Sequence, residues 1–292
     1  MNDTERYLFD VQGYLHIPGL LTQDETARLH DAARCLEHSA LACCAGPLQW
    51  HAALHNEYDY WRHPEHGYFV TKQSDGGETL MVEDFWLEPD AFDFLIGHGP
   101  TMRYVRRIVQ GRISINNSEL RIRYPGNRTS MHMGFPHGHG PMYAYRVLGN
   151  EINCMMVRMV YFLQDVPDNG GPMCFIPGSH KGHFSLPDGI DDMHDEPGLV
   201  VTPCRAGDGI LFTEACRHGG VPVRNDVTRY TLHVGYGPYF LRSQNISTQN
   251  ESVNVTDALL ARLTPEQCEL LVCPIRQPLT DSQTVSGPMM HA

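Results

Sequence analysis

Three residues carry the most specific chemistry in this chain: His132, His218 and Arg229. Imidazole nitrogen is a common ligand for first-row metals. Two histidines and one carboxylate on one face of a metal form the usual cradle for non-haem iron(II), leaving positions open for other ligands. In such a cradle the carboxylate stands two residues after the first histidine, because side chains two apart on a strand point the same way. Here that position is Gly134, which has no side chain to offer. Arg229 follows His218 after one short segment, and a turn around Arg224–Asp226 would fold the chain back to bring the two together. A guanidinium fork makes two parallel charge-assisted bonds to a carboxylate, so Arg229 suits a dicarboxylate. Thr231, two residues on, shares its face and offers a hydroxyl.

Several groups compete for the place that Gly134 leaves. Glu214 stands four residues before His218 and so shares its face on a continuous strand. At about 3.3 Å per residue that puts it roughly 13 Å away along the backbone, a long reach that favours a buried supporting role. His137 and His139 follow Gly134 through Phe135-Pro136 and the neighbouring glycines, a loop of unknown direction. They offer a third nitrogen ligand or, as the preferred reading, line a substrate pocket. Water or an added anion would also fill the gap. Arg121 and Arg123 alternate on a candidate strand entering the site; they read as contacts for an anionic substrate or, equally, as structural charge. With 17 histidines in the chain, a lone His-x-Gly carries little; the order His132, His218, Arg229 carries the argument.

The elements that must hold these residues are mostly strands. Candidates run over 119–124, 152–164, 172–176, 199–204, 208–213, 217–222 and 228–236, separated by turn clusters such as Asp168-Asn169-Gly170-Gly171 and Gly207-Asp208. Thr22-Gln23-Asp24-Glu25 reads as a capping box, and Leu29, Ala32, Ala33 and Leu36 follow at helical spacing, predicting a helix over 22–38. A short strand precedes it at Gly13–Ile17. Pro100 suits the first turn of a second helix, and 256–272 predicts a last one. Residues 40–90 hold all three tryptophans and the Ser74-Asp75-Gly76-Gly77 run; they read as loops over a pocket, with the aromatic 50–69 stretch placed to stack on a ring or pack on the barrel mouth. Short strands after helices predict a mainly β fold with flanking α-helices, a jelly roll. It forms one domain over 1–278, with a flexible tail over 279–292.

The bulk properties narrow the class. The chain has 292 residues, 41% hydrophobic and 19% charged, which suits a globular core. A formal net charge of -12 speaks against a general nucleic-acid or anionic-membrane binder. No stretch is long and apolar enough for a membrane span. The N-terminus lacks a signal-peptide pattern, and nine cysteines without a zinc-type pair suit free thiols, so the expected compartment is cytoplasmic.

The chain resembles the phytanoyl-CoA dioxygenase family. Phe9-Asp10-Val11-Gln12-Gly13-Tyr14 is similar to the family's opening strand. Asp165-Val166-Pro167-Asp168-Asn169-Gly170-Gly171-Pro172 and Ile176-Pro177-Gly178-Ser179-His180-Lys181 match its central loop and turn. Gly207-Asp208-Gly209-Ile210-Leu211-Phe212, then His218 and Arg229, match its distal half. The resemblance implies a double-stranded β-helix (cupin-like) fold, Fe(II) on His132 and His218, 2-oxoglutarate on Arg229, O2 as co-substrate and a small-molecule substrate. His180 and Lys181 are expected to serve the turn and the surface. The departure at Gly134 resembles radical halogenases of the wider superfamily, in which chloride takes the carboxylate's place on iron. The expected activity is therefore chlorination of an aliphatic C–H bond. Hydroxylation or desaturation, with water at the open position, is the alternative, and a non-catalytic jelly roll the third reading.

Overall fold

A computed structural model describes residues 1–53, 56–88, 90–132, 143–241 and 255–271. Gly134, His137, His139 and the 279–292 tail lie outside the described residues.

The chain opens with helix α1 (Asp3–Gln12), then β1 (Tyr14–Ile17) and α2 (Gln23–Cys43). The 40–90 region departs from the loop expectation. It forms β2 (Gln49–Ala53), β3 (Asn56–Arg62), β4 (Phe69–Ser74) and β5 (Glu78–Glu83). Strand β4 reads Phe69-Val70-Thr71 and β5 Leu80-Met81-Val82, buried on both faces, so apolar runs without alternation concealed them as strands. Trp86 is buried in the core beyond β5. Helix α3 (Gly99–Ile108) has Pro100 in its first turn, as expected. The jelly-roll strands follow: β6 (Ile113–Arg123), β7 (Thr129–His132), β8 (Tyr145–Leu148), β9 (Glu151–Cys154), β10 (Val157–Phe162), β11 (Met173–Phe175), β12 (Val200–Thr202), β13 (Gly209–Thr213), β14 (His218–Gly220) and β15 (Arg229–Pro238). The expected last helix is two, α4 (Asp257–Arg262) and α5 (Pro265–Leu271), because Pro265 cannot continue α4 and instead starts α5.

A nine-stranded antiparallel sheet runs β1-β13-β10-β15-β6-β5-β4-β3-β2, and a four-stranded sheet runs β12-β11-β14-β7. Their facing sides share a core in which Tyr14 stacks on Phe175 at 4.2 Å and Phe175 meets Phe212 edge-on. The large sheet segregates its residues by parity. Along β15, Leu232 and Val234 join the larger apolar core with Leu29, Ala33 and Leu36 of α2. Arg229, Thr231 and His233 point the other way. Strand β10 does the same, with Val157, Met159 and Tyr161 in that core and Arg158 opposite. A fully buried leucine is worth roughly 1.5–3 kcal/mol. The α2 stripe therefore fixes the strand register, and with it the faces on which the charged residues stand. The capping box holds as predicted, with the Thr22 hydroxyl accepting from the Glu25 amide at 3.2 Å and the Glu25 carboxylate accepting from the Thr22 amide at 2.8 Å.

Candidate active site

Antiparallel pairing of β14 with β7 sets His218 opposite His132. Their rings lie 4.2 Å apart between centroids, inclined at 57°. Each ring donates Nδ1–H to a backbone carbonyl, His132 to Ser130 and His218 to Cys216, both at 2.8 Å. A carbonyl only accepts, so the tautomer is fixed and each Nε2 keeps its lone pair free for a metal. His218 is buried against Phe212 and Phe175. Burial, reinforced by His132, pushes its pKa down to about 3, so it stays neutral. His132 is exposed at its edge, yet the protein packed around the ring also lowers its pKa. Neutral imidazole is the form that ligates metals.

Arg229 begins β15 on the inner face, 3% exposed. One Nη donates to the Gly171 carbonyl at 2.5 Å and the other to the Thr231 hydroxyl at 3.5 Å. Its Nε is buried without a partner. Burial pushes its pKa down to about 10, and Arg121 nearby acts in the same direction; the side chain still carries a full charge at neutral pH. A buried cation with unspent donors and, among the described residues, no ion-paired carboxylate is the complement of a small dianion. Thr231 also meets His233 Nε2 at 3.1 Å and holds the guanidinium in place.

Gly171 explains why the Asp168–Gly171 turn matters. Its φ is +74°, and an added Cβ would stand 2.6 Å from Val223 Cγ2. Only glycine lets its carbonyl reach both Arg229 and Arg123. Arg123 does not present a free charge to a substrate. Its guanidinium, 1% exposed, donates to Asn127 Oδ1 and to the carbonyls of Gly171, Asn127, Gly220 and Val221. It clamps together the 127 turn, the Gly171 turn that Arg229 also binds, and the end of β14. Arg121 faces the site, opposite Thr231 in register, and donates to Glu119 at 2.8 Å while its Nε is unpartnered.

Glu214 corrects the straight-strand geometry. Residues 214–217 turn between β13 and β14, so the backbone does not run the full extended length, and Glu214 Oε2 comes within 3.9 Å of His218 Nε2. Its other oxygen is held by Arg158 Nε at 2.5 Å, while Arg158 Nη1 binds Glu119 at 2.8 Å. Burial works to raise both carboxyls, but the guanidiniums offset it and hold both below the usual carboxylate range. Among the described residues, the donor atoms of His132, His218 and Glu214 do not all lie within 4.8 Å of one another. Arg158, Glu119 and His233 went unnoticed in the sequence, although a lone arginine in Val157-Arg158-Met159-Val160-Tyr161-Phe162 is the kind of interruption that marks an inward-facing charge. His180 and Lys181 do serve the turn, binding the Asp10 carbonyl at 3.0 Å and its carboxylate at 2.8 Å, although His180 is buried rather than at the surface.

The donor set fits iron(II) and 2-oxoglutarate: two fixed Nε2 atoms, space for further ligands and a buried guanidinium with spare donors. The model for the phytanoyl-CoA dioxygenase (PhyH) family matches residues 9–231. No curated protein matches the chain. Among solved structures, HygX from Streptomyces hygroscopicus, with nickel and 2-oxoglutarate bound, is similar at 19% identity and a TM-score of 0.64, covering 87% of this chain and 96% of HygX. The 2-oxoglutarate-dependent epimerase SnoN from nogalamycin biosynthesis is similar at 21% identity and a TM-score of 0.59, covering 87% and 90%. The carbocyclase SnoK of the same biosynthesis reaches 20% identity and a TM-score of 0.53, covering 91% and 92%. At these identities the structures speak for the fold, and the family match for the class. The chain belongs to the phytanoyl-CoA dioxygenase family of iron- and 2-oxoglutarate-dependent enzymes.

Proposed function

We propose that this enzyme halogenates an aliphatic C–H bond of a small-molecule metabolite, with Fe(II) on His132 and His218, 2-oxoglutarate on Arg229, and chloride beside Gly134. One observation carries the reading. The position that would supply a carboxylate is a glycine, while Glu214, the acid that comes near His218, commits one oxygen to Arg158 at 2.5 Å. The position then favours an external anion. When bound, iron, 2-oxoglutarate and O2 supply the oxidation that removes a substrate hydrogen. The protein's part is positional. Ser130 and Cys216 carbonyls aim the two Nε2 atoms, and Thr231 and Gly171 hold the Arg229 fork. Phe212 and Phe175 keep water from the His218 side. Substrate placement decides whether carbon receives halide or hydroxyl.

HygX has been solved with hygromycin B bound and SnoN with nogalamycin RO; these support a small-molecule substrate here too, with Arg121 as a candidate contact for its anionic group. A second reading is hydroxylation or desaturation. The 3.9 Å separation of Glu214 from His218 Nε2 favours it, since a modest side-chain shift would bring the carboxylate to the metal. Crystals of the Fe(II)–2-oxoglutarate protein soaked in bromide separate the two. Anomalous bromide density beside Gly134 supports halogenation, and its loss in Gly134→Asp is expected. Glu214 on the metal in the bromide-soaked crystal would sink the halogenase reading and leave the hydroxylase.

A further inference from the structure

Three metal-ligating side chains converge outside the iron site. His16 of β1, Asp208 just before β13, and Cys204 bring a ring nitrogen, a carboxylate oxygen and a sulfur within 4.8 Å of one another. Among the described residues this is the one such group of three. We propose that His16, Cys204 and Asp208 form a second, transition-metal site suited to Zn2+ and similar borderline-soft ions.

The ligand types fit that class, since thiolate and imidazole together favour Zn2+ over Mg2+ or Ca2+. Bonds of about 2.0–2.3 Å in a tetrahedron place ligand atoms about 3.5 Å apart, so the His16–Asp208 pair must open slightly and the sulfur close by little more than about 1 Å at most. Two ligands are already mounted firmly. His16 lies on β1, opposite Ile210 of β13, and Cys204 pairs with Val166 through backbone bonds in both directions. Asp208 is oriented as metal carboxylates usually are, by outer hydrogen bonds: the Gly19 amide donates to Oδ1 and the Arg205 amide to Oδ2, both at 2.9 Å. His16 Nε2 already contacts Oδ2 at 2.8 Å, and the ion would replace that bond.

The group borders a cleft of about 520 Å³, also lined by Pro18, Pro167 and Pro203, which leaves a fourth position for water or an added ligand. Burial, with Asp208's charge behind it, pushes the Cys204 thiol up to about 12, so it is protonated in the metal-free fold. The balanced step is therefore Zn2+ plus the thiol giving a zinc–thiolate bond, with the proton released to solvent. The bound ion ties β1 to the loop that leads into β13, across the edge of the large sheet. This inference is independent of the halogenase reading, because none of its residues belongs to the His132–His218–Arg229 set.

Cobalt titration of the whole protein tests it, because Co2+ bound by a thiolate gives an intense near-ultraviolet charge-transfer band that Co2+ on histidines and carboxylates does not. The expected result is a band that saturates with a single ion per chain, persists in His218→Ala, is lost in Cys204→Ser and weakens in His16→Ala. Zn2+ should abolish it by competition and, in the His218→Ala background that removes the other metal site, raise Tm unless Cys204→Ser is added. No band at excess Co2+, or an undiminished band in Cys204→Ser, would overturn the proposal. Cys204→Ser is nearly isosteric, and its Tm without metal separates a folding defect from a lost ligand.

Discussion

Replacing Arg229 by Gln should weaken 2-oxoglutarate binding on the order of a hundredfold while leaving the fold intact. A guanidinium has five donors. Arg229 spends one on Gly171 and one on Thr231, and its Nε has no partner. Enough donors remain for a bidentate grip on one carboxylate of the co-substrate. Removing one partner of a buried, hydrogen-bonded charge pair costs about 2–5 kcal/mol. A value near 3 kcal/mol multiplies Kd by about 150. The folding side favours the variant. The Gly171 carbonyl keeps a donor from Arg123 at 2.9 Å, and a buried cation with no ion-paired carboxylate among the described residues leaves the interior. Thr231 retains its contact with His233. Anaerobic calorimetric titration of 2-oxoglutarate into the Fe(II) protein measures the effect, with Tm as the folding control. A change in Kd of less than threefold in a variant of unchanged Tm would refute the assignment of Arg229 and the buried-anion reasoning with it.

Other expected outcomes follow from the same geometry. His132→Ala should reduce Fe(II) affinity at least ~10–100-fold, the loss that even an outer-sphere partner causes; metal content after dialysis reads it, and undiminished iron would move the site elsewhere. Arg123→Leu strips donors from the carbonyls of Asn127, Gly171, Gly220 and Val221. At about 1–3 kcal/mol for each orphaned group it should destabilise by at least ~3 kcal/mol and lower Tm by roughly ten degrees. An unchanged Tm with lost turnover would restore a substrate role. Buried His180 has its pKa pushed down to about 4, chiefly by burial, against about 6.5 in the unfolded chain. The unfolded state therefore takes up the proton first as pH falls. Its contribution to stability is full above about 6.5 and is lost progressively toward 4, about 2 kcal/mol by pH 5. Urea unfolding at pH 7 and 5 should show this loss in the wild type and a smaller one in His180→Gln; equal losses in both would remove His180 as the cause.

Linear order singled out His132 and His218, which the strand pairing sets opposite each other, while Gly134 lies outside the described residues. His132, Gly134, His218 and Arg229 stand in an order whose chemistry depends on residue type, and the turn clusters between them mark strand ends. The capping box at Thr22 and the proline at 100 were equally readable, because local rules govern them. Strands β4 and β5 were not readable, since burial on both faces removes the alternation that identifies a strand. Helix α1 hid in a stretch that resembled an opening strand, and only its Asn2 cap and the packing of buried Phe9 make it a helix.

The network around the site belongs to the tertiary structure for a different reason. Arg158 reaches Glu119 and Glu214 from another strand, and Arg123 reaches carbonyls far away in sequence. No periodicity encodes such distant pairings; they exist because register and sheet closure bring inward-facing residues together. Glu214 shows the difference most plainly. Strand rise put it roughly 13 Å from His218, and one turn brought it to 3.9 Å. The sequence by itself determined that position 134 offers no side-chain donor, because glycine cannot coordinate through a side chain. Only the fold decided which acid comes near His218 and which arginine pairs with it, because both depend on where separate strands place their inner faces.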